Sequence, residues 1–144
     1  MALVKIFAHN TPEYRQALAL RDKVLRQPLG LKFTEAELKK DEHDTHMGLF
    51  EGDEVLACLT LTRCENNRMK VRQVATAEHA QGKGLGRQLS EAAEKYCLDN
   101  GYHTVFCHAR KVAAPFYEKL GYHIVGAEFT EVGIPHFLME KKLN

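Results

Sequence analysis

The stretch QGKGLGR, residues 81–87, decides the fold of this chain, because it separates two segments of different periodicity. Before it, RMKVRQVATAEH (68–79) is typical of a strand. After it, apolar residues recur at helical spacing until Gly101: Leu85, Leu89, Ala92, Ala93, Tyr96 and Cys97. Glycines occupy positions 82, 84 and 86 of the junction. The stretch is therefore predicted to connect a strand tightly to a long helix.

A glycine-rich loop that begins a helix is a favourable place for an anion. The first N–H groups of a helix lack intrahelical partners, and with the helix dipole they attract phosphate, which glycine lets approach closely. Lys83 and Arg87 add positive charge. The alternative is a structural turn in which the glycines only supply positive φ values, and the spacing alone leaves both open.

The spacing of the glycines disfavours two nucleotide-binding motifs. A Walker A loop requires GxxxxGK followed by Ser or Thr, which residues 82–87 do not match. A dinucleotide fingerprint requires GxGxxG and an acidic residue about 20 positions later. The chain has GxGxG instead, and its next strand ends in CHAR (107–110) without an acid.

The composition is that of an ordinary soluble domain. The chain has 144 residues, 44% of them hydrophobic, so we predict a single domain over residues 1–144. Lys and Arg number 20 against 19 Asp and Glu, and no apolar run approaches the about 18 residues of a membrane helix. We expect a cytoplasmic protein with no nucleic-acid or membrane partner, whose cysteines are free thiols: Cys58, Cys64, Cys97 and Cys107.

The remaining segments predict the order β, α, (α), β, β, β, α, β, α, β, β. In the first helix, Thr11 is the expected N-cap, Pro12 opens the first turn, and the apolar stripe is Tyr14, Ala17, Leu18 and Leu25. The segments are a strand at 3–8, helix 10–27, charged helix or loop 34–44, strands either side of 51–54, strand 103–109, helix 111–121, and strands 122–129 and 136–143. This order predicts an α+β fold with a mixed, mostly antiparallel sheet of about six to seven strands flanked by helices.

Two motifs resemble those of the GCN5-related N-acetyltransferase (GNAT) superfamily. Residues 81–86 match its Q/R-x-x-G-x-G/A motif, and AAPFYEKLGY (113–122) is similar to its A-x-x-F-Y-x-x-x-G-F/Y motif. Together, in this order of strands and helices, they are more specific than either alone. RDKVLRQPLG (21–30) and EVGIPHFLMEKKL (131–143) resemble an ElaA- or YjcF-like branch. The resemblance covers nearly the whole chain and implies the GNAT, or acyl-CoA N-acyltransferase, fold.

The resemblance implies transfer of an acetyl group from acetyl-CoA, the acyl-donor substrate, to a primary amine, with no metal. It implies that the pyrophosphate of CoA binds the backbone of Gln81, Gly82, Lys83, Gly84, Leu85, Gly86 and Arg87. It implies that the pantetheine arm pairs with Val74, Ala75 and Thr76, where an N–H at or near Val74 polarises the thioester carbonyl. Ala114 and Tyr117 complete the predicted cofactor-binding residues.

The resemblance also implies catalytic residues. Tyr117, in FYEKLGY, matches the acid that protonates the departing thiolate. Many relatives place a basic glutamate on the strand before the glycine loop, but this strand, KVRQVAT, has none. This absence leaves the base unassigned, and His108 is one candidate, because it lies on the next strand and histidine changes protonation near neutral pH. The alternatives are a water-mediated base, an amine that arrives neutral, or His46, His136, Glu128 or Glu131.

The acceptor site is less determined. The predicted substrate-binding residues are Arg21, His46, Arg72, Gln73, Arg110 and His136. Arg21 occupies an apolar stripe, so it either pairs with an acid such as Glu42 or, with Arg72 and Arg110, favours an anionic acceptor. The cluster DEHDTH (41–46) fits no standard metal-ligand spacing and is predicted to be a solvated loop, from which Asp44 and His46 can reach the substrate.

Several alternatives stay open at this stage. A small-molecule amine is the expected acceptor, and a protein or peptide amine is the nearest alternative. A non-catalytic acyl-CoA-binding sensor would keep the fold without the transfer; the missing glutamate favours it and the intact FYEKLGY opposes it. Homodimers are common in the superfamily, so the resemblance allows one. The sequence does not determine the acceptor, the acyl-chain length or the physiological role.

Overall fold

The structure, a computed structural model, describes residues 2–144. In that range seven strands run Leu3–Phe7 (β1), Thr45–Glu51 (β2), Glu54–Cys64 (β3), Arg68–Thr76 (β4), Thr104–Arg110 (β5), His123–Glu131 (β6) and Ile134–Lys142 (β7). Four α-helices run Pro12–Arg21 (α1), Glu35–Lys40 (α2), Leu85–Asp99 (α3) and Ala114–Lys119 (α4). The order of elements agrees with the order that the sequence predicts.

The strands form one mixed sheet in the order β1-β2-β3-β4-β5-β7-β6. Antiparallel pairs join β1 to β2, β2 to β3, β5 to β7 and β6 to β7. Strands β4 and β5 are parallel, with Arg68–Lys70 opposite Thr104–Phe106. A parallel pair needs a crossover connection, and α3 supplies it. The predicted α+β fold, with a mostly antiparallel sheet flanked by helices, is confirmed.

The chain divides into two compact units. The first contains the residues up to Thr62 together with Arg72–Ala93, and its core includes Phe7, Phe50 and Leu56. The second contains Arg63–Val71 and Glu94–Asn144, and its most deeply buried side chains are Cys97, Val105 and Met139. A single domain over residues 1–144 stays a prediction.

Helix α1 begins as predicted but ends earlier. Thr11 Oγ1 accepts the Tyr14 N–H at 3.2 Å, and Pro12 lies in the first turn. The α-helix ends at Arg21, after which the chain forms a π-helix over Asp22–Arg26. The predicted α-helix over residues 10–27 is therefore wrong after Arg21. A 3-10 turn over Gln27–Leu29 follows the π-helix, because a proline at position 28 cannot donate the next helical hydrogen bond.

The buried faces of the helices differ in part from the predicted stripes. On α1, Leu20 is buried, whereas Leu18 is only partly buried, as is Leu25 in the π-helix that follows. On α4, Tyr117 is buried, whereas Phe116 is 39% exposed. Short helices have few turns, so one shifted residue changes which side chains face the sheet.

Two further observations concern the described chain as a whole. All four cysteines are free thiols, as predicted, and three of them are buried. Within residues 2–144 we find no helix of sufficient length and apolar character to cross a membrane.

Candidate active site

Hydrogen bonds connect the glycine loop to β4 before it and to α3 after it. The Gln81 side-chain amide donates to the Thr76 carbonyl at 3.2 Å, and the Gly84 carbonyl accepts the Gln88 N–H at 3.0 Å. Gly82 and Gly84 have φ values of 79° and 76°, which other residues adopt only with strain. A Cβ at either position would meet no atom within 4 Å, so the glycines are required by the backbone and not by packing.

The start of α3 presents its backbone donors at this loop. Leu85 is the first helical residue and Gly86 lies in the first turn, where N–H groups have no intrahelical acceptor. Lys83 and Arg87 are exposed beside it. A cavity of about 380 Å³ adjoins the loop, and its lining includes His79, Lys83 and Gln88 together with two acidic residues, Glu51 and Glu54. Exposed backbone donors and two cations together make an anion-binding arrangement.

The end of β4 contains an unusual backbone conformation. Gln73 has a φ of 55°, a left-handed value inside a strand. Such a conformation costs about 1–3 kcal/mol for a residue other than glycine, and strained residues collect at functional sites. Beyond it, Ala75 is buried in the core, whereas Val74 and Thr76 are half-buried. The backbone of the predicted pantetheine segment is thus anchored by Ala75.

Tyr117 lies on α4 among other aromatic rings. It packs edge-on against Phe116 and Tyr122, with centroids 5.2 and 5.4 Å apart. Burial raises the pKa of its hydroxyl, the nearby Cys107 adds to the increase, and the Arg110 cation opposes it. The hydroxyl therefore keeps its proton at neutral pH, as a proton donor must. Ala114, the first residue of α4, is also buried.

His108, on β5, contacts two charged side chains. Its Nδ1 lies 3.0 Å from Glu131 Oε1 and 3.4 Å from Lys70 Nζ. A carboxylate only accepts, so the shorter contact is a hydrogen bond donated by Nδ1–H of His108. Partial burial acts to raise the pKa of Glu131, but the His108 hydrogen bond and the charges of His108, His136 and Lys70 outweigh it and lower that pKa. Glu131 is therefore ionised at neutral pH.

Two other predicted acceptor residues are arginines. Arg72 Nη1 donates to Asp44 Oδ2 at 3.0 Å and to Thr62 Oγ1 at 3.2 Å, so Asp44 neutralises it. Arg110 ends β5, and its cross-strand partner on β7 is His136. His136 is buried, with 4% of its surface exposed. The structure thus places Arg110 beside His136 and leaves Arg72 in a separate pair.

The remaining two, Arg21 and His46, belong to a buried polar cluster that we call the Arg21 cluster: Tyr14, Arg21, Asp41, His46 and Thr60. Arg21 Nη1 donates to Asp41 Oδ2 at 2.8 Å, and the Tyr14 hydroxyl donates to the same oxygen at 2.5 Å. Arg21 and Asp41 are 2% and 0% exposed. The sequence suggests an acid such as Glu42 as the partner of Arg21. In the structure the partner is Asp41. This burial favours a structural role for Arg21, whose predicted contact with substrate stays a prediction.

The two ring nitrogens of His46 have defined roles. Nε2 lies 2.8 Å from the Asp41 carbonyl oxygen, which can only accept, so Nε2 carries the proton. Nδ1 then accepts the Thr60 hydroxyl at 3.1 Å. Burial lowers the pKa of His46, and the Arg21 cation lowers it further, against the opposing effect of Asp41. His46 is held neutral, and its contact with substrate also stays a prediction.

This arrangement predicts a pH dependence of stability. Because the folded pKa of His46 lies below the ordinary 6.5, the unfolded chain binds the proton first. The contribution of neutral His46 to the free energy of unfolding is complete above pH 6.5. It decreases as the pH falls toward the folded pKa. Urea unfolding of wild type and His46→Asn between pH about 7.5 and about 5 measures it. We expect a steeper loss of stability in wild type, and His43→Asn, at an exposed position, serves as the control.

Sequence reasoning missed some residues and named others without their partners. Asp41 lies in the cluster that the sequence predicts to be a solvated loop, but it is 0% exposed, and no sequence signal indicates a role for Lys70. The available signal for Asp41 is that a buried arginine, such as Arg21, needs an acidic partner. Which of the neighbouring acids faces Arg21 depends on where α2 ends, and the sequence does not determine that position. Within the described range, 2–144, no group of three or more His, Cys, Asp or Glu is arranged to hold a metal ion.

Comparison with known proteins identifies the family of the chain. A family model described as acetyltransferase (GNAT) domain matches residues 14–143. The protein called uncharacterized N-acetyltransferase YjcF, of Bacillus subtilis (strain 168), is 24% identical over 137 residues, which cover 94% of this chain and 97% of YjcF. Escherichia coli ElaA has the same fold, with a TM-score of 0.82 and 20% identity over 98% of this chain and 99% of ElaA. A Bacillus subtilis acetyltransferase in complex with CoA has a TM-score of 0.76 and 16% identity, over the whole of both chains.

The family model covers most of the chain, including the glycine loop and the FYEKLGY segment. YjcF and ElaA agree with the branch that the sequence resembles. The chain therefore belongs to the GNAT family and is an acetyltransferase.

Proposed function

We propose that this enzyme transfers the acetyl group of acetyl-CoA to the primary amine of a small molecule, by direct attack while both substrates are bound. The observation that carries the proposal is the loop at residues 81–87, where positive-φ glycines, exposed N–H groups and two cations meet at the start of α3. The CoA bound to the similar Bacillus subtilis acetyltransferase supports it.

The residues present fit CoA as the donor. The open space at Gly82 and Gly84 lets a pyrophosphate approach the backbone of residues 81–87. We propose that the backbone of Val74, Ala75 and Thr76 receives the pantetheine arm and that Ala114 also contacts the donor. Bound acetyl-CoA supplies an activated thioester, so the protein's residues must position it and move protons.

Two side chains are proposed for the proton transfers. The amine nitrogen forms a bond to the thioester carbonyl carbon, and the carbon–sulfur bond breaks. His108 Nε2 accepts the proton that leaves the amine, and the Tyr117 hydroxyl donates its proton to the departing sulfur. Exchange with water returns both side chains to their starting states, so the products are an N-acetyl amine and CoA thiol.

For the acceptor we propose Gln73, Arg110 and His136 as the first residues to test. Gln73 has the strained backbone of β4, and Arg110 and His136 are neighbours across β5 and β7. The Arg72–Asp44 pair is already neutralised, which reduces the attraction of Arg72 for an anionic acceptor. A protein or peptide amine is the alternative acceptor class.

The first test measures thermal unfolding with acetyl-CoA, CoA, ATP and NAD at equal concentrations. A ligand at about 100 times its Kd stabilises the folded state by about 2.7 kcal/mol, so we expect both CoA species to raise Tm by several degrees. A rise with ATP or NAD instead of CoA would contradict the proposal. Stabilisation by CoA without acetylation of any amine in a broad panel would favour the non-catalytic sensor.

Two matched variants locate the donor site. Gly84→Asp places a negative charge where the phosphates are proposed to bind, and Gly101→Asp makes the same change at the other end of α3. Both positions have positive φ, 76° and 84°, and open space for a Cβ. The helix dipole favours Asp at position 84 and disfavours it at position 101, so the Tm of each variant without ligand is its own reference. Only Gly84→Asp should lose the CoA-induced rise in Tm.

A further inference from the structure

We propose that Glu131 is the positioning residue that selects the proton-accepting nitrogen of His108. The inference rests on the proposed function, because it assigns Glu131 to the base of that reaction. Its evidence is the register of three strands, four polar contacts and one strained turn, all within the second compact unit.

The sheet register brings the three side chains to one face. Arg110 is opposite His136 across β5 and β7, so His108, two residues earlier on β5, shares the face of His136. Phe129 is opposite His136 across β6 and β7, so Glu131, two residues later, lies on that face too. The three residues are far apart in the sequence but adjacent on the sheet.

The contacts give each carboxylate oxygen of Glu131 its own imidazole. Oε1 lies 3.0 Å from His108 Nδ1, and Oε2 lies 3.7 Å from His136 Nε2. His136 Nδ1 donates to the Ile134 carbonyl at 2.8 Å, which fixes the ring so that Nε2 faces the carboxylate. The Phe129 ring packs against both imidazoles, with centroids 5.1 Å from His108 and 5.8 Å from His136.

A strained turn holds Glu131 in this position. Glu131 and Ile134 are the last pair of the β6–β7 hairpin, so its turn contains only Val132 and Gly133. Their φ values of 47° and 74° are those of a type I′ turn, which usually has Asn-Gly. A β-branched residue at positive φ is a rare and strained choice. The short turn leaves Glu131 little freedom to move away from His108.

The arrangement determines which nitrogen of His108 can act. With Nδ1–H donated to Glu131, the lone pair of neutral His108 lies on Nε2. When Nε2 accepts a proton from the amine, the carboxylate stabilises the new imidazolium. Lys70 Nζ, 3.4 Å from Nδ1, and the His136 ring are the other titratable groups that face this pair. No bond to Glu131 forms or breaks in the step.

The first test observes the tautomer directly, without any acceptor. The full chain is labelled with ¹⁵N-histidine, and long-range ¹H–¹⁵N spectra are recorded at pH about 8.5, where ordinary histidine is neutral. His108→Asn identifies the His108 signals. We expect the Nδ1–H form of His108 in wild type and in Glu128→Leu, a control on the same strand whose partner is Lys111, and loss of that preference in Glu131→Leu. An Nε2–H form of His108 in wild type, or an unchanged form in Glu131→Leu, would overturn the inference.

The second test uses acetyl transfer to a panel of primary amines. We expect Glu131→Gln to lower kcat by about 10–100-fold, the usual range for removing a group that orients an active histidine, with an unchanged KM for acetyl-CoA. Glu65→Gln, at an exposed position in the turn between β3 and β4, should change neither kcat nor KM. Absence of transfer by wild type would overturn the proposed function, whereas transfer that Glu131→Gln does not alter would overturn this inference alone.

Discussion

Tyr117→Phe lowers kcat for acetyl transfer by about 10²–10⁴-fold, the range typical of a positioned acid or base. The substitution removes only the hydroxyl, which burial keeps protonated at neutral pH. The aromatic packing against Phe116 and Tyr122 remains, so the fold and the CoA-induced rise in Tm should be unchanged. Steady-state kinetics at saturating acetyl-CoA, with the best amine of the panel, measure the effect.

Tyr122→Phe is the matched control for this prediction. Tyr122 is also buried, its pKa is raised by burial in the same way, and its ring lies 5.4 Å from that of Tyr117. It differs in lying outside the α4 helix that carries Tyr117. We expect a small change in kcat. Equal rates for wild type and Tyr117→Phe would remove Tyr117 from the mechanism, and equal losses in the two variants would indicate a packing effect.

Asp41→Leu lowers the free energy of unfolding by about 3–5 kcal/mol, because it leaves the Arg21 guanidinium buried without its counter-ion. Arg21 is 2% exposed and its ion pair with Asp41 is 2.8 Å long. The Tyr14 hydroxyl loses its acceptor in the same variant. Urea unfolding at pH about 7.5 measures the loss, at a pH where His46 is neutral.

Two further variants separate burial of a charge from general disruption. Arg21→Met/Asp41→Leu removes both charges and should recover much of the stability, since apolar residues often replace a buried ion pair at little cost. Asp99→Asn breaks the exposed Lys95–Asp99 pair, which is also 2.8 Å long, and should change stability little. If Asp41→Leu were as stable as Asp99→Asn, the Arg21 cluster would not contribute to the fold as described.

Much of the fold was predictable because its signals are local. Thr11 and Pro12 set the start of α1, and the alternation and helical spacing around residues 81–87 set the β4–α3 junction. TEAE in the sequence is a further local signal. It forms the capping box of α2, in which Thr34 and Glu37 each bond the backbone of the other. Local signals failed at the π-helix of Asp22–Arg26, because apolar spacing does not distinguish a short π-helix from the end of an α-helix.

The candidate site was predictable only where a motif is continuous. The glycine loop and Tyr117 each lie in one short segment, so residue type and spacing were sufficient to nominate them. His108 was named as a base, but its partner Glu131 is 23 residues away and was one of several alternatives. His46 and Arg21 were expected at the acceptor, whereas the structure buries both with Asp41.

By itself, the sequence determined the order of elements, the helix start at Thr11 and the left-handed glycines of the loop, because caps, periodicity and φ preferences act within a few residues. Only the tertiary structure decided which charges meet. Arg21 reaches Asp41 across 20 residues, and His108 reaches Glu131 through the pairing of β5, β7 and β6. Hydrogen bonds and ion pairs depend on distances of a few ångströms, and strand register sets those distances between segments that the sequence keeps apart.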